Sequence, residues 1–125
     1  TSVYFGAPES LSLLGRICES LRAAEPGVSR WGVTPREFMA RGRYDALLGL
    51  YVPPRPSIAW EWDFAAPDLF MREAGGCFTD LDGHRFVYNK PSGKNEGGLV
   101  MAKNVETHDR VMRAIAREDV GSHRP

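Results

Sequence analysis

No apolar run in this chain approaches the roughly 20 residues that cross a bilayer. No charged-then-apolar leader opens it either. Net charge is missing as well: sixteen Lys+Arg cancel sixteen Asp+Glu. Without an excess of either sign there is no strong field to draw in nucleic acid or anionic lipid, so neither is expected as a partner. Cysteine is scarce. Cys18 and Cys77 match no metal-ligand spacing and read as two buried thiols of a reducing compartment, which makes the cytoplasm the expected location. His84, His108 and His123 form no pattern with a nucleophile and an acid, and no Walker-type glycine loop is present. Thr1 leads straight into a strand-like Ser-Val-Tyr-Phe-Gly, the expected look of a chain that begins inside a fold.

What is there is a globular composition: 125 residues, 42% hydrophobic and 26% charged. A chain of this length buries about two thirds of its unfolded surface, enough for one core. One α/β domain over residues 1–120 is expected, with 121–125 as a frayed tail. The only local excess of charge is Arg30, Arg36, Arg41 and Arg43 against Glu37 and Asp45. Such a cluster reads as a solvated face or as a phosphate contact.

Along the chain, Ser2 to Gly6 reads as a strand. Leu11, Leu14, Ile17, Cys18 and Leu21 give the apolar side of a helix that stops before Pro26-Gly27. Thr34-Pro35-Arg36-Glu37 is a capping-box pattern, opening a short helix that should end at Gly42. Tyr44 to Val52 reads as a buried strand closed by Pro53 to Pro56. A helix is expected from about Ala65 to Ala74, ended by Gly75-Gly76. Cys77 to Leu81 should be a strand, and Asp82-Gly83 a turn toward Arg85–Tyr88 as a hairpin partner. Asn89 to Gly98 is loop by composition, and Leu99 to Ala102 a last short strand. Asn104 should cap a closing helix with Val111, Met112 and Ile115 on its apolar side. Alternating strands and helices predict α/β layering around a mainly parallel sheet.

Asp63 lies between Trp62 and Phe64, just ahead of the Ala65–Ala74 helix. As a capping acid it would stabilise that helix by about 1 kcal/mol. Pro67 argues against this, because a helix starting just after Asp63 would need the N–H that proline lacks. The regular helix is therefore expected to start near Ala66, leaving Asp63 on the lead-in and facing a cleft.

Trp62-Asp63-Phe64-Ala65-Ala66, Glu73-Ala74-Gly75-Gly76, Asp80 and Asp82-Gly83 together resemble the C-terminal signature of the inositol monophosphatase superfamily, W-D-x-A-A…E-A-G-G…D…G. Ala40 to Ala46 is similar to the A-x-G-x-x-D segment that precedes it. Glu61 ahead of Trp62, and Tyr88-Asn89-Lys90, resemble the bisphosphate-nucleotidase branch. The resemblance implies the C-terminal half of an α-β-α-β-α layered phosphatase that hydrolyses small phosphate esters with Mg²⁺. It implies Asp63 as a metal ligand. The family's remaining metal ligands and water-activating residue come from an N-terminal half with E-E and D-P-x-D-G-T patterns, and this sequence contains neither. No catalytic residue is therefore expected in this half. The chain is expected to need that half or a partner chain and to be inactive alone. A non-catalytic assembly or small-anion-binding domain derived from such an enzyme is the competing expectation.

Gly32-Val33-Thr34-Pro35-Arg36 stands where the nucleotidase branch has a Gly-Ser-Ser-x-Lys type segment, so Gly32, Thr34 and Arg36 are candidate phosphate contacts. Against this, Thr34 serves equally as a plain helix cap and Arg36 as a solvated charge. Trp60, Glu61 and Trp62 are candidate substrate-binding residues, with Trp62 also readable as a core indole and Trp60 as a stacking surface. Asp80 and Asp82 read as a turn more simply than as a metal pair. Tyr88 and Lys90 read as anchors of the loop that follows or as phosphate contacts. Surfaces meant to meet a missing half should also drive self-association, so a homo-oligomer is expected.

Overall fold

The computed structural model describes residues 2–5, 11–22, 27–29, 45–50 and 58–118. The expected Thr34–Gly42 helix, the candidates Gly32, Thr34 and Arg36, and the 121–125 tail lie outside the described residues. Within them, the strands are β1 (Ser2–Phe5), β2 (Gly27–Ser29), β3 (Ala46–Leu50), β4 (Ile58–Trp60), β5 (Cys77–Thr79), β6 (Lys94–Glu96) and β7 (Leu99–Ala102). The helices are α1 (Leu11–Leu21), α2 (Glu61–Glu73) and α3 (Val105–Arg117).

Five strands form one sheet in the order β2-β1-β3-β7-β5. β1 runs parallel to β2 and to β3, whereas β7 runs antiparallel to both β3 and β5. The expectation of a mainly parallel sheet is thus corrected to a mixed one. A parallel return needs a long crossover, usually a helix. The segment joining β5 to β7 contains none, so β7 comes back antiparallel. Arg85–Tyr88 forms no strand, and the loop expected at Asn89–Gly98 contains β6, which pairs antiparallel with β4 in a separate two-stranded sheet.

Side chains alternate across a strand, and the core divides accordingly. Ala46 and Leu48 of β3 and Val100 and Ala102 of β7 pack with Leu14, Ile17 and Cys18 of α1 and Val111, Ala114 and Ile115 of α3. Leu47, Phe78 and Met101 point the other way, to Met71 of α2, with Phe64 and Phe86 completing that cluster. Phe64, Phe78 and Phe86 meet edge-on, at centroid distances of 4.9–5.6 Å. The five-stranded sheet is therefore covered by α1 and α3 on one face and by α2 on the other.

Helix ends follow local chemistry. Asn104 caps α3 as expected, its side-chain oxygen accepting the Thr107 N–H at 2.8 Å. At the end of α2, Gly75 takes a left-handed φ of +87°. Its N–H reaches the Arg72 carbonyl, and the Gly76 N–H reaches that of Met71, the paired bonds of a Schellman stop. Arg16 pairs with Glu118 at 2.7 Å, and Arg117 donates to the Ser20 hydroxyl at 3.0 Å; both contacts tie α1 to α3.

Candidate functional site

Helix α2 starts at Glu61, five residues earlier than the proline argument places it, and Pro67 sits inside it. Asp63 therefore occupies the third helical position. Its Oδ2 accepts the backbone N–H of Trp60 at 3.0 Å, the acid-side half of a capping box. The indole of Trp60 has only a donor to offer and contributes nothing to the cap through its own polar atom. Asp63 is exposed, so it both fastens the helix entry and presents a carboxylate at the surface.

The two tryptophans that flank Glu61 lie on each other. Their rings are 4.6 Å apart and tilted by 6°, an offset stack of the kind aromatic pairs favour. Trp62 is 66% exposed, which corrects the core-indole reading. Lys94, opposite Trp60 in the β4–β6 pair, holds its ammonium 5.2 Å from the Trp60 ring centroid, a cation–π contact.

Glu61 is a fastener. Its carboxylate accepts the backbone N–H groups of Asn89 (2.8 Å) and Lys90 (2.9 Å) and pairs with the Lys90 ammonium at 2.8 Å. These bonds, the Lys90 side chain foremost, hold its pKa below the usual glutamate value. The Lys90 ammonium also donates to the Asn95 side-chain oxygen at 2.9 Å and to the Val87 carbonyl. All three of its protons are thus committed, and Lys90 is an anchor. Asn95 is buried, and its Nδ2 has no hydrogen-bond partner among the described residues. Turning the amide over would set N–H groups against the ammonium, so the orphan donor is the lesser cost.

Two buried polar arrangements carry no clear mark in the sequence. Asp68, only 1% exposed, accepts the Tyr88 hydroxyl at 2.7 Å and the Arg72 guanidinium at 3.2 Å. Burial, then the bond to Asp68, pushes the Tyr88 phenol well above its ordinary value. The i,i+4 spacing of Asp68 and Arg72 was the available signal; nothing local points to Tyr88. On the other face of the sheet, His108 Nε2 lies 2.8 Å from the Thr79 hydroxyl, and burial lowers the His108 pKa.

Asp80, Asp82 and His84 bring possible ligand atoms within 4.8 Å of one another. One oxygen of Asp80 accepts the backbone N–H groups of Asp82 (2.8 Å) and His84 (2.9 Å). That is the hydrogen bonding of an aspartate-centred turn, as the T-D-L-D-G reading expected.

Trp60, Glu61, Trp62 and Asp63 are thus consecutive around the entry to α2, backed by the 86–95 segment. Among solved structures, the chain is similar to the extragenic suppressor protein suhB of Bartonella henselae, at 22% identity and a TM-score of 0.57, covering 91% of this chain and 40% of that one. It is also similar to an IMPase of Thermotoga maritima, at 17% identity and a TM-score of 0.57, covering 94% of this chain and 40% of that one. The chain therefore spans about two fifths of the length of either relative. No curated protein sequence matches it. The model of the inositol monophosphatase family matches residues 18–118, most of the chain. That match takes in every residue of the α2 entry, and the chain belongs to the inositol monophosphatase family.

Proposed function

We propose that this chain is the C-terminal part of a Mg²⁺-dependent phosphomonoesterase that acts in the cytoplasm on a small phosphate ester. One observation carries the proposal: the aspartate of the family signature, Asp63, stands exposed in the first turn of α2 with its carboxylate steadied by the Trp60 N–H. That donor takes one of about four lone-pair sites a carboxylate offers. The group therefore retains oxygen for a hard cation, and the donor chemistry fits magnesium. Magnesium, when bound, neutralises phosphoryl charge and lowers the pKa of a bound water.

The residues of this chain supply a ligand and a wall. Asp63 gives one anionic oxygen, and its bond to Trp60 restricts how the carboxylate turns. The stacked Trp60 and Trp62 form a flat apolar wall beside it, and Lys94 adds positive charge near an anionic substrate. Glu61 serves this wall from behind, through Lys90. Gly32, Thr34 and Arg36 are assigned to the phosphate on sequence grounds. Between the two substrate types, a 3′,5′-bisphosphonucleotide is preferred to an inositol phosphate, because Glu61-Trp62-Asp63 and Tyr88-Asn89-Lys90 follow the nucleotidase pattern.

One carboxylate does not hold magnesium alone, so the other ligands belong to a companion segment. The outer face of α2 suits such a partner: Trp62, Ala65, Ala66, Leu69 and Phe70 are all exposed on it. A second reading, an assembly or anion-binding domain without catalysis, draws on the absence of any Asp-Pro-x-Asp in the sequence. Phosphate release by the complete enzyme separates the two. Asp63→Asn should lower the rate at limiting Mg²⁺ by at least about tenfold, the loss that even an outer partner of a metal ligand produces. A retained rate would reduce Asp63 to a helix-capping acid.

A further inference from the structure

Pro67 divides α2. Having no N–H, it leaves the carbonyl of Asp63 without its ladder donor, so the first turn is joined to the rest of the helix less firmly than an unbroken ladder would join it. The part after Pro67 is anchored by Asp68 and Met71, both buried. The part before it carries Trp62 and Asp63, both exposed. Phe64 packs this turn onto Phe78 and Phe86, and a second hold fixes its polar side.

The 88–90 segment touches both sides of the break. On the near side, the Glu61 carboxylate accepts from Asn89, Lys90 and the Lys90 ammonium. On the far side, Asp68 accepts from Tyr88. Glu61 and Asp68 are seven residues apart, two turns or about 10.5 Å along one helix face. The segment pays a conformational cost for this reach: Asn89 has a left-handed φ of +66°, and its N–H is one of those that Glu61 holds.

We propose that Tyr88–Asn89–Lys90 is a splint across the proline break, and that Glu61 and Tyr88 are positioning residues for the Asp63 carboxylate. The inference rests on the metal-holding role proposed above for Asp63. It assigns the two residues no contact with substrate; they act by fixing where the first turn of α2 points.

The test is Mn²⁺ binding, followed by electron paramagnetic resonance in the complete enzyme, alongside phosphate release and thermal melting. Glu61→Gln keeps the size of the side chain and removes its charge; Tyr88→Phe removes one hydroxyl far from the metal and serves if the first variant folds poorly. Each should weaken Mn²⁺ binding by roughly tenfold, with phosphate release recovering at saturating metal. Amide hydrogen exchange should quicken in 61–66 and stay unchanged in α1 and α3. Unchanged Mn²⁺ affinity with a lowered melting temperature would overturn the inference and leave the splint a stabilising contact only. Unchanged affinity in Asp63→Asn would instead remove the metal role of Asp63, whatever the other variants do.

Discussion

Tyr88→Phe is the sharpest probe of how this fold handles a buried charge. The substitution deletes one hydroxyl and leaves the ring in place. What it removes is a 2.7 Å bond to the carboxylate of Asp68, a side chain only 1% exposed. Hydrogen bonds to charged groups contribute about 1.5–3 kcal/mol, and a buried acceptor that loses its donor is not rescued by water. A loss of about 2 kcal/mol is expected. For a chain of this size each kcal/mol moves the melting temperature by about 4 °C, which gives a fall of about 8 °C. Arg72→Met is the companion variant, because Arg72 reaches the other oxygen of Asp68 at 3.2 Å with 40% of its own side chain exposed. Only the Arg72 end of this pair is solvated, so its loss leaves a buried carboxylate without that cation and should cost at least as much as the loss of the hydroxyl. Differential scanning fluorimetry of both variants, checked by urea titration, reads the order directly. If Tyr88→Phe melts within about 1 °C of the parent, the carboxylate is not held as described.

Acid should weaken the packing between α3 and β5. His108 has its pKa lowered by burial from an ordinary 6.5, so the folded state binds fewer protons than the unfolded one near that pH. The stability this represents is complete above about pH 6.5 and is lost as pH falls through the lower folded value. His108→Gln should flatten the slope of unfolding free energy over that window, and an unchanged slope would show that another group titrates there. The outer face of α2 makes a further prediction: sedimentation velocity should show the isolated chain self-associating, and Leu69→Lys with Phe70→Lys should reduce it. A clean monomer at high concentration would count against an unfilled docking face.

Elements with strong local signals were legible in the sequence. Helices α1 and α3 follow from their apolar spacing, Asn104 from capping chemistry and Gly75 from its place after a helix. The partners of β5 and β7 were not, because pairing is decided by residues far apart in the chain, and a helix-free connection reverses a strand that simple alternation would leave parallel. The start of α2 was misplaced for a specific reason. Pro67 removes one ladder bond, but the first turn is supported from outside by Asn89 and Lys90, contacts 28 and 29 residues away. Trp62 was misjudged because an apolar ring was assumed to lie inside, whereas it faces outward over Trp60. At the candidate site, the signature located Asp63 and its neighbours. The engagement of Glu61 by Lys90 and the Asp68–Tyr88 bond are tertiary contacts that no local pattern encodes.

The Trp60–Trp62 pair gives the chain its own optical reporter. Two indoles 4.6 Å apart and nearly parallel couple their electronic transitions, so the far-ultraviolet circular dichroism should carry a split signal that a single indole lacks. Any event that tilts one ring against the other, whether a cation settling beside them or a protein closing over them, will register as a change in that splitting without an added dye.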